Sequence, residues 1–483
     1  MDTSKMNPRE KARLEEEKKN RKTRRQYVII GVIVVLLAAL VITVNSSLFT
    51  RGFAALRVNG TKYTLADVNF EYQEAYMQMA NYGILDTSVP LDEQACPFDP
   101  EGGTWHDYFK SAAEENLVQK TAFADAAAQA GTALTQEDQE QLESALSNYS
   151  LYAAYQGYPS ADAYLTAMFG AGNNEKTVRR SMERELLVNR FLTDLSKSFT
   201  FTDAEKDAYY EEHTAELNTV NYLYYMAAAE AGDTGMSDEE AMDAARETAG
   251  AIAAAGADGE EPFRTAVTEQ TDAEAVATSV SESGFLSRFE GDVTAEDLVP
   301  GTVFTHETDT GVYAVYVQGL EDNRYNTVSV RHILVKAEDA DEDGTYSEEE
   351  RQAAHDAILA IQDEWEVGER TEESFAALAA EKSEDTGSAE TGGLYEDIYK
   401  GQMVSEFDAF CFEPHEHGDT AVVWGESTSY AGYHLIYYVG EGGPYRQVLA
   451  DNALRSDAYN AAVEELLDGY SAQRGLVWRY VMK

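Results

Sequence analysis

The longest apolar stretch of the chain lies near its start, where no charged residue occurs between Arg25 and Arg51. Its interior, residues 27–48, is long enough to cross a bilayer as one helix. Residues 1–26 carry ten lysines and arginines against five acidic residues, so the positive-inside rule places them in the cytoplasm and the bulk of the chain outside the cell. A cleaved signal peptide is the alternative, but the stretch is longer than a signal-peptide core and no clear cleavage site follows it. We therefore predict an uncleaved, single-pass anchor in the cell membrane.

Apolar residues recur at helical spacing over the next segment, residues 49–217, after a turn signal at Asn59-Gly60. The spacing returns from Trp105 to about Ser198. The first apolar stripe consists of Leu65, Val68, Tyr72, Tyr76 and Met79. We predict a mostly helical domain whose apolar faces form its core. For some of these apolar faces, the alternative is an exposed, adaptable groove of Tyr and Met side chains.

From Asn218 the pattern changes to a strand, helices and a second strand, and the same order returns from Asn326. The segment NTV opens both copies, and a glycine followed by an apolar strand closes both. This indicates an internal duplication with a period of about 110 residues. Each copy mixes strands and helices, so we assign residues 218–322 and 323–441 to two α+β modules.

The last segment, residues 442–483, is again helical in pattern, with an apolar stripe of Tyr459, Val463, Leu466 and Tyr470. A single amphipathic helix of this length is not stable alone. We therefore expect it to pack back onto the helical domain of residues 49–217 and to complete that domain. The predicted fold class is α+β: a transmembrane helix, a mostly helical domain closed by the C-terminal helix, and two α+β modules inserted between its parts.

The net charge and the number of cysteines exclude some classes of function. The formal net charge is −50, and such a surface repels nucleic acid and attracts cations or basic polypeptides. Only two cysteines are present, which excludes a framework of several disulfides. Cys411 lies in an apolar segment and is expected to be a small buried core residue. Neither cysteine has the basic surroundings that a thiol nucleophile needs.

Five short pieces of the second module follow one another between about residues 326 and 440: RHILVK, SFAALAAEKSED, GG, GQMVSEF and GYHLI. In this order and at this spacing they resemble the parvulin-type peptidyl-prolyl cis-trans isomerases. The layout of the whole chain resembles the membrane-attached extracytoplasmic foldases of the PrsA and SurA type. In that layout a helical chaperone region is built from N- and C-terminal segments, with parvulin modules inserted between them.

The resemblance implies a set of functional residues. The catalytic residues that it implies are His332, Asp385, Ser429 and His434, and the substrate-binding residues are Leu394, Met403 and Phe407. Rotation about an X-Pro bond faces a barrier of about 20 kcal/mol but breaks no bond. Such a site therefore needs only to bind the twisted amide more tightly than the planar forms. No metal or cofactor is required, and the acidic residue would act electrostatically.

The sequence departs from the family pattern in the second module and, more widely, in the first. GGLYED stands where the family has GGDLG, and SYAGYH is one residue longer than the usual YGYH, which affects the rim of the pocket. In the first module, Tyr224 and Tyr313 stand where the second module has His332 and His434. We infer that the first module is a degenerate copy, which has a binding or spacer role but no catalytic role.

An acidic run after the first strand of the second module matches the calcium-loop pattern D-x-D-x-D-G-x5-E. Its residues are Asp339, Asp341, Asp343, Gly344 and Glu350. A calcium-binding EF-hand needs a helix on each side of the loop, but a strand enters this one, so a solvated acidic loop is favoured. His415 and His417 are candidate metal ligands, but without further ligands a surface position is favoured. We predict no cofactor, with calcium at the acidic loop as the alternative.

The leading hypothesis is a single-pass, outward-facing foldase that binds unfolded secreted polypeptides in its helical domain and isomerises X-Pro bonds in its second module. Clients with exposed apolar segments and positive charge suit the acidic surface. A non-catalytic chaperone or scaffold that uses both modules for binding is the alternative, and the intact set of implied site residues argues against it. A calcium-dependent surface adhesin or sensor is the third hypothesis.

Overall fold

The computed structural model describes Arg21, Ile29 and residues 32–35, 47–86, 88–99, 102–230, 237–340, 345–427 and 430–482. The chain divides into two compact units, the first formed by Met1–Phe199 with Asp457–Lys483 and the second by Thr200–Ser456. Most of the predicted anchor, residues 27–48, lies outside the described residues. Among the residues that are described, no helix combines the length and the apolar character needed to cross a bilayer.

The first unit consists of helices around a small antiparallel sheet. Several helices begin at a polar cap: the side chains of Thr104 and Thr135 accept hydrogen bonds from backbone N–H groups of the first turn. The helices are α1 Ser47–Gly52, α2 Leu65–Ala80, α3 Trp105–Ala130, α4 Gln136–Tyr155, α5 Ala161–Phe169 and α6 Glu175–Ser198. The strands are β1 Ala54–Val58, β2 Thr61–Thr64 and, from the C-terminal part of the chain, β11 Ala472–Arg474.

The small sheet was not predicted from the sequence. β1 and β2 form a hairpin around Asn59 and Gly60, whose φ angles are 46° and 89°. Asn-Gly is a strong hairpin signal because both residues tolerate a left-handed backbone. The strands on either side have only five and four residues, which is too short for an alternating pattern to stand out. β11 pairs with the other edge of β1 and gives the order β11-β1-β2.

The residues that follow the last helix contribute to the core of the first unit. Trp478 and Val481 are buried in the same apolar cluster as Leu56 and Phe109. From the sequence, this packing role was expected of the apolar stripe of the C-terminal helix. In the structure, the buried residues of this segment are Val477, Trp478 and Val481, at and beside a short 3₁₀ turn at Trp478–Tyr480, and strand pairing of β11 with β1 fixes them against the core. Tyr470 of the predicted stripe packs against the same cluster and is partly buried.

Replacing Trp478 with alanine should destabilise the first unit by about 3–5 kcal/mol, because it removes a large side chain that is only 8 % exposed. Urea unfolding of the full chain, followed by limited proteolysis, measures this change. Leu476 lies in the same segment but is 93 % exposed, so Leu476→Ala is the matched control and should change stability by less than about 0.5 kcal/mol. Equal losses in the two variants would contradict the packing role of Trp478.

The second unit contains two α+β modules. The first module has strands β3 Thr219–Ala228, β4 Val276–Ser281, β5 Val303–Thr308 and β6 Gly311–Glu321, and helices α9 Asp238–Gly256, α10 Glu260–Thr271 and α11 Glu282–Arg288. The second module has strands β7 Asn326–Lys336, β8 Leu394–Ile398, β9 Thr420–Glu426 and β10 Ala431–Pro444, and helices α12 Glu348–Val367, α13 Glu372–Lys382 and α14 Ser405–Phe412. Outside the modules are α7 Asp203–Glu212, α8 Thr214–Leu217 and α15 Tyr445–Leu467.

The two modules share one sheet topology. The strand orders are β4-β3-β6-β5 and β8-β7-β10-β9, and the pairs within each sheet are antiparallel. The register corresponds as well: Tyr224 pairs with Val315 in the first module, and His332 pairs with Ile436 in the second. The repeat in the sequence thus corresponds to a repeated four-stranded sheet.

Helices cover both faces of the central strands in the second module. On one face, Ile333 and Leu435 pack with residues of α12 and α13. On the other face, Val330 and Ile436 pack with residues of α14. Because successive side chains of a strand alternate between faces, every second residue of β7 and β10 faces α14. That face carries the candidate site.

Candidate active site

Two buried histidines lie side by side on the sheet face that α14 covers. His332 on β7 pairs with Ile436, and His434 on β10 pairs with Leu334, so the two histidines are diagonal neighbours. Their rings are inclined by 20° with centroids 5.3 Å apart, and their Nδ1 atoms are 3.1 Å apart. Strand pairing therefore brings together two residues that are 102 positions apart in the sequence.

A carboxylate lies at the outer nitrogen of His332. Nε2 of His332 is 2.8 Å from Oδ2 of Asp385, which also accepts hydrogen bonds from the hydroxyls of Ser388 at 2.5 Å and Tyr395 at 3.1 Å. The backbone N–H of Gly387 donates to Oδ1 at 3.1 Å. The hydrogen bond from His332 holds the pKa of Asp385 well below its usual range, helped by Ser388 and Gly387 and opposed by burial. Asp385 is therefore ionised at neutral pH.

The ionised carboxylate fixes the protons of both rings. With the Nε2–H of His332 donated to Asp385, the other nitrogen of that ring, Nδ1, is placed to accept from the Nδ1–H of His434. Nε2 of His434 is then an acceptor too, and the hydroxyl of Tyr430 donates to it at 3.2 Å. Burial and, to a smaller extent, the neighbouring His332 lower the pKa of His434 to about 3. Asp385, His332, His434 and Tyr430 thus form one hydrogen-bonded chain.

A cavity of about 180 Å³ adjoins the two histidine rings. Phe407 of α14 meets both rings edge-on, with centroid distances of 5.5 Å to His332 and 5.3 Å to His434. Met403 and Val404, just before α14, extend the apolar wall. The cavity therefore combines an apolar wall with a polar side that is satisfied by internal hydrogen bonds.

Two glycines allow the backbone to approach the histidines closely. Gly393 has a φ of 71°, and a Cβ atom there would lie 2.2 Å from the carbonyl oxygen of His332. The backbone N–H of His332 donates to the carbonyl of Gly393 at 2.9 Å. The Gly392-Gly393 pair therefore lets the start of β8 lie close against β7. A Cβ atom at Gly425 would lie 2.7 Å from Nε2 of His434, so this position must stay free of a side chain.

The structure brings five of the seven predicted site residues to this cavity, namely His332, Asp385, Met403, Phe407 and His434. Leu394 does not line it. Leu394 pairs with Arg331, and the next residue, Tyr395, lines the cavity instead, because adjacent residues of a strand face opposite sides. Ser429 lies outside the described residues.

Three hydroxyl groups of the site were missed in the sequence. Tyr395 lies in GGLYED and Tyr430 lies in SYAGYH, the two places where the second module departs from the family pattern. Each departure thus supplies a tyrosine that bonds a site residue, Tyr395 to Asp385 and Tyr430 to His434. These departures from the family pattern were the signal in the sequence that could have identified Tyr395 and Tyr430. Ser388 carried no signal of its own in the sequence.

The acidic run that matches a calcium loop is described only in part, since residues 341–344 lie outside the described residues. Glu350, its last candidate ligand, accepts hydrogen bonds from the N–H and the hydroxyl of Ser347, both at 2.8 Å. Its other oxygen accepts from the N–H of Ala340 at 2.7 Å. Glu350 therefore closes a capping box at the start of α12. Calcium binding stays a prediction.

Of the other candidate metal and thiol residues, His415 and Cys411 pack against apolar neighbours, whereas His417 is exposed and hydrogen-bonded. The ring of His415 stacks on Phe410 with centroids 4.1 Å apart, whereas Nε2 of His417 lies 3.2 Å from the hydroxyl of Tyr437. Burial raises the pKa of Cys411 to about 12, so its thiol is protonated at neutral pH. Within the described part of the chain, no group of three His, Cys, Asp or Glu residues is placed to hold a metal ion.

The corresponding face of the first module has a different chemistry. Tyr224 and Tyr313 occupy the positions of the two histidines in the sheet register, with ring centroids 5.8 Å apart. The guanidinium of Arg288 lies over both rings, 5.5 and 5.4 Å from their centroids. A cation on tyrosine faces replaces the imidazoles here.

Comparison with known proteins gives one family match. The model of the PPIC-type PPIase domain, a rotamase, matches residues 332–440. No curated protein sequence matches the chain.

Several solved structures are similar to the chain. PrsA from Bacillus subtilis is 14 % identical, with 78 % of this chain and 93 % of that chain covered and a TM-score of 0.31. PrsA from Streptococcus pneumoniae is 11 % identical, with 78 % and 91 % covered and a TM-score of 0.24. A SurA-like chaperone from Campylobacter jejuni is 13 % identical, with 84 % and 92 % covered and a TM-score of 0.18.

The family assignment rests on the domain match, because these structural similarities are low. The matched residues include both histidines, Asp385 and the apolar wall of the cavity. Residues 332–440 of this chain therefore form a parvulin-type peptidyl-prolyl isomerase domain.

Proposed function

We propose that this chain is a membrane-anchored, extracytoplasmic foldase that binds unfolded secreted polypeptides and catalyses cis-trans isomerisation of their X-Pro bonds. The observation that supports the catalytic part is the hydrogen-bonded chain from Asp385 through His332 and His434 to Tyr430, beside a cavity with an apolar wall. An X-Pro bond has an apolar ring on one side and a carbonyl on the other. The two sides of the cavity match these two parts.

The proposed mechanism uses binding alone. The proline ring packs against Phe407 and Met403, which removes its apolar surface from water. The carbonyl side then turns about the bond while the ring is held. The buried site around His332 and His434 favours the twisted form, whose amide resonance is broken, over either planar form. No covalent bond to the protein forms, and no cofactor takes part.

The charges around the cavity favour substrates without a phosphate before the proline. Glu384 and Asp385 border the cavity, and Lys336 is the one lysine or arginine among its described lining residues. Glu338 and Asp339 follow shortly after Lys336 in the acidic run. A phosphate next to the proline would meet these like charges. A neutral or basic residue before the proline suits the site better.

The remaining parts of the proposal rest on the sequence. Residues 1–26 would lie in the cytoplasm and residues 27–48 would form the anchor. Residues 49–217 with 442–483 would bind clients, and the module at 218–322 would bind or space without catalysing. A non-catalytic chaperone that uses both modules as binding units is the alternative. The connected site of the second module disfavours it.

The test is exchange spectroscopy by proton NMR on a neutral X-Pro peptide with the full chain in detergent micelles. We expect accelerated cis-trans exchange, and Met403→Ala should lower kcat/KM by about ten-fold because part of the apolar wall is lost. Met226→Ala, which truncates a half-buried methionine of the first module, is the matched control and should leave the rate unchanged. No acceleration by a folded chain would favour the non-catalytic chaperone.

A further inference from the structure

The first unit contains a cleft of its own, with a volume of about 330 Å³. Tyr72 and Tyr76 of α2 line one part of it. Leu85 and Leu91, from the loop after α2, line another part, and His106 of α3 also contributes. The volume is at the lower end of the range for ligand pockets and suits one long side chain.

Hydrogen bonds hold the loop of this cleft in one shape. Nε2 of Gln94 donates to the carbonyl oxygens of Asp86 at 2.7 Å and Val89 at 2.5 Å. The backbone N–H of Asp86 donates to Oε1 of Gln94 at 3.3 Å, and the N–H of His106 donates to the carbonyl of Leu91 at 3.1 Å. The cleft is therefore formed before a ligand arrives, which lowers the entropy lost on binding.

The cleft has a negative electrostatic character. Asp86 and Asp92 are among its lining residues, and its described lining includes neither a lysine nor an arginine. The hydroxyl and the N–H of Ser88 donate to Asp86 at 2.5 and 2.9 Å and lower its pKa, so it is ionised. Burial raises the pKa of Tyr72, and the charges of Asp107 and Asp92 raise it further.

We propose that this cleft binds a lysine or arginine side chain of an unfolded polypeptide. The aliphatic stem would pack against Tyr72 and the apolar loop residues, and the charged end would pair with Asp86 and Asp92. Ile84 and Tyr82, which precede the lining loop, are 48 % and 70 % exposed and offer apolar contacts to the neighbouring client residues. This inference rests on the proposed foldase function and defines its clients as apolar segments that contain a basic residue.

Binding of short, dye-labelled, proline-free peptides to the full chain tests the proposal by fluorescence anisotropy. One peptide has a central lysine between leucines, and its partner has glutamine in place of the lysine. We expect about ten-fold tighter binding of the lysine peptide, and we expect Asp86→Asn with Asp92→Asn to remove this preference. Glu137→Gln with Glu140→Gln, an exposed pair on α4, makes the same charge change and should leave the preference intact.

Equal binding of the two peptides by the unaltered chain would overturn the proposal. Retention of the lysine preference by the asparagine variant would also overturn it. Loss of the preference in the α4 control would overturn it too, because the preference would then come from the overall negative charge of the protein. If the asparagine variant does not fold, a ten-fold rise in salt on the unaltered chain must shrink the preference. X-Pro exchange measured in parallel separates a failure here from a failure of the proposed isomerase.

Discussion

Asp385→Asn should lower kcat/KM for X-Pro isomerisation by about 100-fold without unfolding the second module. The side chain keeps its size, but the neutral amide is a weaker acceptor for the Nε2–H of His332 and can also present its own N–H to that nitrogen, so the protons of both histidines lose their fixed order. The loss should be mainly in kcat, because Asp385 contacts the histidine chain and Phe407 and Met403 still bind the proline ring. Exchange rates at several peptide concentrations separate kcat from KM.

Glu384→Gln is the matched control for this change. It removes one negative charge from the adjacent residue, whose carboxylate accepts a hydrogen bond from the backbone N–H of Lys336 at 2.6 Å. We expect it to change kcat/KM by less than about three-fold, since an exposed charge interacts weakly with its surroundings. Comparable losses in the two variants would show that the general field, and not the contact with His332, sets the rate.

Acidification should destabilise the second module well before His434 takes up a proton in the folded state. Burial lowers the folded pKa of His434 to about 3 from an ordinary value of 6.5. Between these two pH values the unfolded chain binds more protons, so stability is highest above pH 6.5 and falls as the pH falls towards 3. This histidine alone should remove about 3 kcal/mol between pH 7 and pH 4. The lowered pKa of Asp385 adds a further loss below about pH 4.

Hydrogen exchange of the β7 and β10 amides in the full chain measures this loss for the second module. His434→Phe keeps a ring at this position but cannot bind a proton. It should flatten the stability profile between pH 6.5 and pH 4, although its stability at pH 7 should be lower because Tyr430 loses an acceptor. An unchanged slope in this variant would assign the acid sensitivity to another group.

The histidine pair was predicted from the resemblance to the parvulin-type isomerases, and strand alternation explains why the structure brings the two rings together. Once β7 and β10 are neighbours, residues of the same parity share a face, and His332 and His434 meet there. The partners Tyr430 and Tyr395 were not predictable, because their positions depend on the shape of segments that differ from the family. The same parity rule excludes Leu394 from the cavity, and the register of β8 was needed to apply it.

Two local patterns overlap at Glu350, and only the calcium loop was considered from the sequence. The acidic run makes it the last ligand of a calcium loop, and Ser347-x-x-Glu350 makes it the end of a capping box. The structure shows the second arrangement. In the first unit, β11 could not be predicted from a local pattern. Its three residues form a strand only because they pair with β1, for example Arg474 with Leu56.

Because Trp478 belongs to the core of the first unit, this unit cannot complete its fold until the C-terminal part of the chain has been synthesised. Between Ala130, where α3 ends, and Ala472, where β11 begins, the sequence advances by 342 positions. At about 5–20 residues per second, a ribosome needs roughly 20–70 s to cover this distance. Throughout that time β1 has an unpaired edge and the core around Leu56 lacks the indole of Trp478. The isomerase domain is continuous in sequence and ends at residue 440, so its chain is complete roughly 2–6 s before β11 is made, and it can fold while the unit made first is still waiting to close.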